Sequence, residues 1–157
     1  MNRKPAAPPP APPVKAGFPP PAYTGEHAAA GVNAGLPEIE TWPNQYRTGY
    51  EIEIGMPEFT SVCPKTGLPD HGTLTLRYVP DRLCLELKSL KMYTLAYRNL
   101  GIFQENVVNR MLADVVRAAR PIRASVEGDF APRGGISTRI TASYQRPSSS
   151  RDSKRGR

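Results

Sequence analysis

One cysteine and one aspartate stand at the two ends of a short turn-forming segment, where together they could perform nucleophilic chemistry. Cys63 opens the sequence Cys-Pro-Lys-Thr-Gly-Leu-Pro, whose prolines and glycine predict a loop, and Asp70 follows at its far end. The thiolate is the reactive form of cysteine, and Lys65 with nearby backbone donors would favour it. A carboxylate folded back toward the thiol can carry a proton in and out. The residues alone leave two alternatives open: an inert small hydrophobe at Cys63 and a turn-capping side chain at Asp70.

Two further groups of charged residues lie at element boundaries and could bind a ligand. Lys88, Ser89 and Lys91 follow a strand and open a helix, whose N-terminal N–H groups attract phosphate. Arg133, in a Pro-Arg-Gly-Gly turn, could add a bidentate phosphate contact. Glu105 opens a long helix, where its carboxylate could accept two parallel hydrogen bonds from a ring N–H and an exocyclic amine. The alternatives are a solvated basic face for the lysines and an electrostatic helix cap for Glu105.

The remaining polar residues argue against several enzyme classes. Cys84 and Glu86 alternate with leucines, so we expect a structural cysteine and an exposed glutamate. The histidines are His27, in the proline-rich lead, and His71. A zinc site would need more ligands than His71 and the two cysteines readily offer, and a serine-type triad has no convincing histidine. No Gly-x-Gly-x-x-Gly sequence is present, so a nicotinamide cofactor would not be held by a Rossmann fold.

Composition divides the 157 residues into three parts. Residues 5–21 hold nine of the eighteen prolines, which is typical of solvated polyproline II, and we predict a disordered lead over 1–37. A disordered Ser/Arg-rich tail is predicted over 146–157, where five basic residues against one aspartate account for +4 of the net charge of +7. One folded domain remains, over 38–145. Its mild positive charge suits phosphate-bearing small molecules, and a solvated tail is favoured over one that contacts RNA.

The sequence carries no signal for secretion or membrane insertion. Its first residues, Met-Asn-Arg-Lys, run into prolines without the apolar core of a signal peptide. No apolar run approaches the length of about eighteen residues that a membrane span needs. Two cysteines would make a thin disulfide framework. We therefore expect a protein of the reducing cytoplasm, with no metal ion and no membrane partner.

Periodicity predicts an α+β fold built on an antiparallel four-stranded sheet. The predicted elements are strands over 50–54 and 73–78, a short leucine alternation over 83–87, helices over 88–98 and 103–119, and strands over 122–127 and 136–144. Because the two helices fall between two pairs of strands, we expect them on one face of the sheet. A sheet of this size has exposed edges, and a homo-oligomer would cover them.

Four separated segments, in order and at matching spacing, resemble the unimodular QueF family, the NADPH-dependent 7-cyano-7-deazaguanine reductases of queuosine biosynthesis. The segments are 58–70, 86–93, 97–99 with 103–105, and 130–137. The second is similar to the family's reductase signature, which is linked to NADPH binding. Together they place the resemblance over 45–145, essentially the whole predicted domain.

The resemblance implies a fold and a mechanism. The fold is the tunnelling fold, in which subunits close into oligomeric barrels, rings stack, and active sites lie between subunits. Cys63 would attack the nitrile carbon of the substrate and form a covalent thioimide. Asp70 would protonate the nitrile nitrogen and help to deprotonate Cys63. NADPH would then deliver hydride twice, because reduction of a nitrile to a primary amine takes four electrons.

The resemblance also implies the binding residues. Carried over position by position, they are Leu85, Glu86, Leu87, Gln104 and Glu105 for the substrate, and Lys88, Ser89, Lys91 and Arg133 for the NADPH phosphates. Gln104 departs from the family, which often has histidine at this position. A glutamine can hydrogen-bond the substrate but cannot shuttle a proton at neutral pH, so we expect a binding role.

Two other functions compete with nitrile reduction. An amidinotransferase-like enzyme would form the same thioimide but use an amine nucleophile, and the segment 88–91 argues against it. A basic RNA-binding module would depend on the Arg-rich tail alone. We expect no stable nucleic-acid partner.

Overall fold

A four-stranded antiparallel sheet with helices against one face organises the structure, a computed structural model that describes residues 24–147. The predicted α+β class and antiparallel sheet are confirmed. The parts of the predicted lead and tail at 1–23 and 148–157 lie outside the described residues. In chain order the elements are α1 (Gly25–Ala29), β1 (Thr41–Pro43), β2 (Ile52–Val62), β3 (Pro69–Val79), β4 (Leu83–Leu85), α2 (Leu87–Leu95), a 3-10 helix (Ala96–Asn99), α3 (Gln104–Ala119), β5 (Arg123–Arg133) and β6 (Ile136–Gln145).

The two faces of the sheet follow the alternation of the sequence. On β3, the side chains of Leu74, Leu76 and Tyr78 are buried in the core beneath the helices. Each such burial contributes about 1.5–3 kcal/mol. The opposite face is polar, and there Arg77 pairs with Glu53 of β2 at 2.6 Å. The sheet therefore has one face for the core and one for solvent or a partner.

The strand order places two strands at the edges of the sheet. The order is β2-β3-β5-β6, so β2 and β6 are the outer strands. β3 and β5 are neighbours although α2 and α3 lie between them in the chain. β5 and β6 are joined by Gly134 and Gly135, with φ of 57° and 84°. Two successive positive φ angles are what a two-residue hairpin turn requires, and glycine adopts them without strain.

The longest helix, α3, supplies much of the helical side of the core. Val107, Met111 and Val115 are 0% exposed, which confirms the predicted apolar stripe. The helix ends at Ala119. Arg120 follows in a left-handed conformation (φ 47°), which closes the last turn of the helix before Pro121.

The leucine alternation predicted over 83–87 is divided between two elements. β4 holds only Leu83–Leu85 and pairs antiparallel with β1, a three-residue strand too short for periodicity to reveal. Glu86 then caps α2, because its carboxylate accepts hydrogen bonds from the N–H groups of Lys88 and Ser89 at 2.9 and 2.7 Å.

The N-terminal residues 24–37 are structured, although the predicted disordered lead extended over them. After α1 the chain crosses α3, and Arg110 of α3 donates hydrogen bonds to the carbonyls of Gly31 and Ala34. These partners lie 79 and 76 residues apart in the sequence, so local composition could not indicate them. The ordered region therefore begins before residue 38.

At the other end, Arg146 belongs to the fold although it was assigned to the tail. Its N–H donates to the carbonyl of Ile122 at 2.9 Å, and its guanidinium pairs with Asp81 at 2.9 Å. The ion pair reaches across 65 positions in the sequence, which explains why composition missed it.

Candidate active site

The loop that carries Cys63 is a tight, hydrogen-bonded turn between β2 and β3. The Cys63 N–H donates to the carbonyl of Leu68 at 2.9 Å, and the Gly67 N–H donates to the carbonyl of Cys63 at 2.9 Å. Gly67 has φ of 69°, a left-handed conformation that glycine adopts readily. The predicted loop is confirmed, but it is shorter than expected because β2 runs to Val62 and β3 begins at Pro69.

The end of β2 is held against the segment that leads into α3. The Val62 N–H donates to the carbonyl of Leu100 at 3.0 Å, and the Ile102 N–H donates to the carbonyl of Val62 at 2.9 Å. These bonds place the cysteine loop beside the first turn of α3. The same turn carries two of the predicted substrate residues, Gln104 and Glu105.

The surroundings of Cys63 favour its thiolate. Burial acts to raise the pKa of the thiol, since the side chain is 5% exposed. Hydrogen bonds from the hydroxyl and N–H of Thr66, from the N–H of Lys65 and from Arg133 outweigh burial and hold the pKa below its ordinary value. An inert cysteine in an apolar setting would have a raised pKa, so the environment is that of a nucleophile.

Asp70 is a buried strand residue, so the turn-cap alternative is wrong. It is the second residue of β3 and is 2% exposed. Its Oδ1 accepts a hydrogen bond from Nε2 of Gln104 at 3.1 Å and pairs with the guanidinium of Arg133 at 2.8 Å. A buried carboxylate requires such partners. Because Arg133 also bonds the thiol of Cys63, one guanidinium joins the two reactive groups.

A cavity of about 400 Å³ lies where the cysteine loop, the start of α3 and the end of β5 meet. This volume is within the range of small-molecule sites. The lining residues are Cys63, Asp70, Phe103, Gln104, Glu105 and Arg133. Five of these six are predicted site residues, and the tertiary structure brings them together from three separate parts of the sequence.

The predicted residues at 85–91 do not line this cavity in the same chain. Leu85 is buried in the core at 3% exposed, whereas Leu87 is 59% exposed on α2. Leu87 and Lys91 line a separate, largely apolar groove of about 300 Å³ between α2 and β2. The predicted substrate and cofactor residues therefore form two groups within one chain.

The start of α2 differs from the phosphate site that the sequence suggested. The carboxylate of Glu86 accepts hydrogen bonds from the N–H groups of Lys88 and Ser89, and these bonds lower the pKa of Glu86. The hydroxyl of Ser89 donates to the Glu86 carbonyl at 2.8 Å and accepts from the N–H of Glu40 at 2.9 Å. Because the N–H groups of Lys88 and Ser89 are already bonded, the lysine ammonium groups are better placed than these two N–H groups to bind a phosphate.

Sequence reasoning missed some contributors to the site. Thr66 was not singled out, although a hydroxyl three residues after a cysteine in a tight turn can reach back to the sulfur. Phe103, which precedes α3, lines the cavity and carried no chemical signal. Arg133 was predicted to contact phosphate, whereas in the structure it bonds Cys63 and Asp70. Only the fold of the β5–β6 hairpin could reveal that contact.

Residues 24–147 offer no metal cluster and no membrane-spanning helix beside this cavity. Residues 24–147 contain no group of three or more His, Cys, Asp or Glu side chains that could hold a metal ion. No helix in the same range is long and apolar enough to cross a membrane. Cys84 is 1% exposed and, like Cys63, is a free thiol.

Fold and site together describe an α+β protein in which a buried thiol, a carboxylate and a guanidinium line one cavity. Comparisons narrow this class, because a family model described as QueF-like protein matches residues 69–149. The chain is 60% identical over 124 residues to the NADPH-dependent 7-cyano-7-deazaguanine reductase of Elusimicrobium minutum (strain Pei191), covering 79% of this chain and 94% of the relative. It is 58% identical over 108 residues to the protein of the same name from Chloroherpeton thalassium (strain ATCC 35110 / GB-78), covering 68% and 93%. The chain belongs to the QueF-like protein family.

A solved structure supports the fold independently. The apo crystal structure of the archaeosine synthase QueF-Like matches with a TM-score of 0.55 at 20% identity. The match covers 63% of this chain and 95% of that chain. At this level of identity the likeness concerns the architecture alone.

Proposed function

We propose that this protein is an NADPH-dependent oxidoreductase that reduces the nitrile of 7-cyano-7-deazaguanine to the primary amine of 7-aminomethyl-7-deazaguanine, in queuosine biosynthesis. The observation that carries the proposal is the thiol of Cys63, held beside Asp70 and Arg133 in one cavity. The names of the relatives at 60% and 58% identity support the substrate and the cofactor.

The first step forms a bond between the sulfur of Cys63 and the nitrile carbon. As this bond forms, one π bond of the nitrile breaks and its electron pair moves to nitrogen. Asp70 gives that nitrogen a proton, and the proton lost by Cys63 replaces it, so the S–H group adds across the triple bond. The product is a thioimide on Cys63. The lowered pKa of Cys63 supports this role, because a thiol with a lower pKa supplies more of the nucleophilic thiolate at a given pH.

Two neighbours hold the acid in place. Gln104 donates to Oδ1 of Asp70 at 3.1 Å, and Arg133 pairs with the same oxygen at 2.8 Å. An amide does not titrate at neutral pH, so Gln104 orients the carboxyl group and moves no proton. It can also bind the substrate, because it lines the cavity.

Glu105 recognises the heterocycle from the first turn of α3. Its carboxylate is exposed at the cavity and can accept hydrogen bonds from the ring N–H and exocyclic amine of the deazaguanine. Leu85, Glu86 and Leu87 lie outside the cavity of their own chain. We assign Glu86 and Leu87 to the site of a neighbouring subunit, so that each complete site needs two chains, and Leu85 supports them from the core.

The residues of α2 fit the nicotinamide cofactor in part. Lys88 and Lys91 are exposed and one turn apart, so their ammonium groups can bind phosphate, and the apolar groove beside Lys91 suits an aromatic ring. Ser89 and Arg133 fit less well, because hydrogen bonds within the chain already engage them. When bound, NADPH supplies hydride, with two equivalents per nitrile because the conversion to an amine takes four electrons.

Assembly into a homo-oligomer follows from the sheet. Both outer strands, β2 and β6, present backbone groups that a second chain can pair. The tunnelling-fold barrel satisfies both edges at once, and stacked rings of subunits would complete sites shared between chains. The free thiols of Cys63 and Cys84 suit a reducing cytoplasm.

Incubation with 7-cyano-7-deazaguanine followed by intact-mass measurement, with and without NADPH, tests the proposal. Without NADPH we expect a mass increase equal to the mass of the nitrile. With NADPH the adduct should disappear while two NADPH are oxidised per substrate. Cys63→Ala should abolish the adduct and reduce turnover on the order of 10²-fold or more, because the covalent step is lost. Cys84→Ala is the matched control and should form the adduct.

Other outcomes of the same experiment separate the competing functions. A wild-type protein that neither gains mass nor oxidises NADPH contradicts nitrile reduction. An adduct that forms but does not respond to NADPH favours transfer to an amine nucleophile. Tight, salt-sensitive RNA binding that disappears on deletion of 147–157, which keeps the structural Arg146, would favour an RNA-binding module.

A further inference from the structure

Ser61 is a fully buried polar residue whose hydroxyl has no hydrogen-bond partner. The residue is 0% exposed. Among the side chains of residues 24–147, its Oγ is the buried nitrogen or oxygen atom left without a partner. An unpaired buried hydroxyl costs free energy that an alanine would avoid. Stability alone therefore does not explain why position 61 carries a serine and not an alanine.

The position of Ser61 in the sheet supplies a candidate partner. In the antiparallel pairing of β2 with β3, Ser61 lies directly opposite Asp70. Residues opposite each other share one face of the sheet, with Cβ atoms about 4.5–5.5 Å apart. Cys63 lies two residues further along the chain, just beyond the end of β2. A serine hydroxyl and a carboxyl group at that separation can meet by rotation about χ1.

The hydrogen bonds of Asp70 leave one of its oxygens available. Gln104 donates a hydrogen bond to Oδ1 and Arg133 forms its ion pair with the same atom, so Oδ2 can accept a further hydrogen bond. A carboxyl group held through one oxygen can rotate, so its acidic O–H would not be aimed at the substrate. A second hydrogen bond, donated to the oxygen that does not carry the proton, would fix its direction.

We propose that Ser61 is a positioning residue, whose hydroxyl donates to the Asp70 carboxyl group and directs the Asp70 proton into the cavity. This inference rests on the proposed thioimide reaction. The proton passes from Asp70 to the nitrile nitrogen as the bond from Cys63 to carbon forms and one π bond breaks. Ser61 keeps its own proton throughout. The charged and titratable groups around Asp70 are Cys63 on the loop, Glu105 on α3 and Arg133 on β5.

Ser61→Ala tests the role, because it removes only one oxygen and leaves the fold intact. Two rates are measured on the same oligomeric protein. One is thioimide formation with 7-cyano-7-deazaguanine in the absence of NADPH, and the other is alkylation by iodoacetamide over a range of pH. We expect thioimide formation to slow on the order of ten- to a hundred-fold, because the acid is misdirected. Alkylation and its pH profile should match wild type, because that reaction needs a thiolate but no acid.

The thermal midpoint and a control serine complete the test. Ser61→Ala should melt at the same temperature as wild type or higher, since a buried orphan hydroxyl is removed. Ser125→Ala, on β5 and outside the cavity, should leave both rates unchanged. Equal thioimide rates in Ser61→Ala and wild type would overturn the positioning role alone. A lower melting temperature of Ser61→Ala, together with equal slowing of thioimide formation and alkylation, would also overturn it, because that result would show a structural role.

The two proposals fail in different ways. If wild type forms no thioimide, the proposed function is overturned and the positioning role with it. If wild type forms the adduct and Ser61→Ala forms it as fast, only the role of Ser61 is lost.

Discussion

At the scale of single residues, one guanidinium organises the reactive groups. Arg133 pairs with Asp70 at 2.8 Å and is also one of the groups that lower the pKa of the Cys63 thiol. A cation beside a thiol favours its negatively charged form. The guanidinium therefore favours the thiolate of Cys63, which is the form that the proposed thioimide reaction uses.

Replacing Arg133 tests this arrangement. In Arg133→Gln the thiol loses a donor, so its pKa should rise and the pH at which iodoacetamide alkylation is half-maximal should move upward. At neutral pH less thiolate is present, and we expect thioimide formation to slow roughly ten-fold or more. The matched control is Arg139→Gln on the same hairpin, whose guanidinium pairs with Asp129 at 2.8 Å, outside the cavity. An Arg133→Gln alkylation profile identical to that of wild type would contradict the argument.

At the scale of elements, a buried hydrogen-bond network fixes α2 and the 3-10 helix to α3. The Tyr93 hydroxyl donates to Oδ2 of Asp114 at 2.7 Å and lies 2.8 Å from the hydroxyl of Tyr97. Asp114 is also paired with Arg117 at 2.6 Å and with Arg110 at 3.6 Å. Burial raises the pKa of Tyr93, so its hydroxyl remains a donor. The network holds the lysines of α2 in a fixed relation to the start of α3.

Loss of the Tyr93 hydroxyl should therefore weaken the whole helical layer. In Tyr93→Phe, Asp114 loses a buried donor, and we expect the free energy of unfolding to fall by about 1–3 kcal/mol. Urea unfolding monitored by circular dichroism measures the change. Tyr46→Phe is the control, because Tyr46 is 72% exposed and should change stability by less than about 0.5 kcal/mol. Equal free energies of unfolding for Tyr93→Phe and Tyr46→Phe would show that the network makes no net contribution to stability.

At the scale of the whole molecule, the N-terminal segment 24–37 acts as a strap across α3. Arg110 donates to two of its carbonyls, and Asn106 donates to the carbonyl of Ala28 at 2.8 Å. Asn106 lies in the first turn of α3, beside Gln104 and Glu105, and Arg110 lies on the next turn. The strap therefore supports the helix end that faces the cavity.

Two deletions separate the strap from the rest of the lead. Removal of 1–37 should lower the free energy of unfolding by about 2 kcal/mol or more, because Arg110 is left with two charge-assisted hydrogen bonds unmade. Removal of 1–23 should change it by less than about 0.5 kcal/mol, because its composition predicts no contribution to the core. Chemical unfolding of both proteins beside the full chain is the measurement. Identical stabilities for the two deletions would contradict the role of the strap.

The fold was predictable from the sequence where an element follows a local periodicity of apolar residues. It was less predictable where an element depends on residues that are distant in the sequence. The apolar stripe on α3 and the alternation of apolar and polar residues on β3 depend on residues close together in the sequence, and both predictions are confirmed. β2 was predicted over 50–54 only, because Gly55 and Pro57 interrupt the alternation. In the structure Gly55 keeps its register opposite Thr75, and a register shift between Met56 and Phe59 accommodates Pro57. The strand is an outer one, where a proline removes no ladder bond needed inside the sheet.

The sequence by itself determined the cysteine loop and the elements around it, because the turn of that loop and the periods of strand and helix are local properties. It named Cys63 and Asp70 as a candidate pair and left their roles open. Only the tertiary structure decided which side chains meet that pair. Arg133 reaches Cys63 and Asp70 through a distant hairpin, and Ser61 faces Asp70 through the register of two strands. Contacts of this kind depend on long-range pairing, which no local pattern encodes.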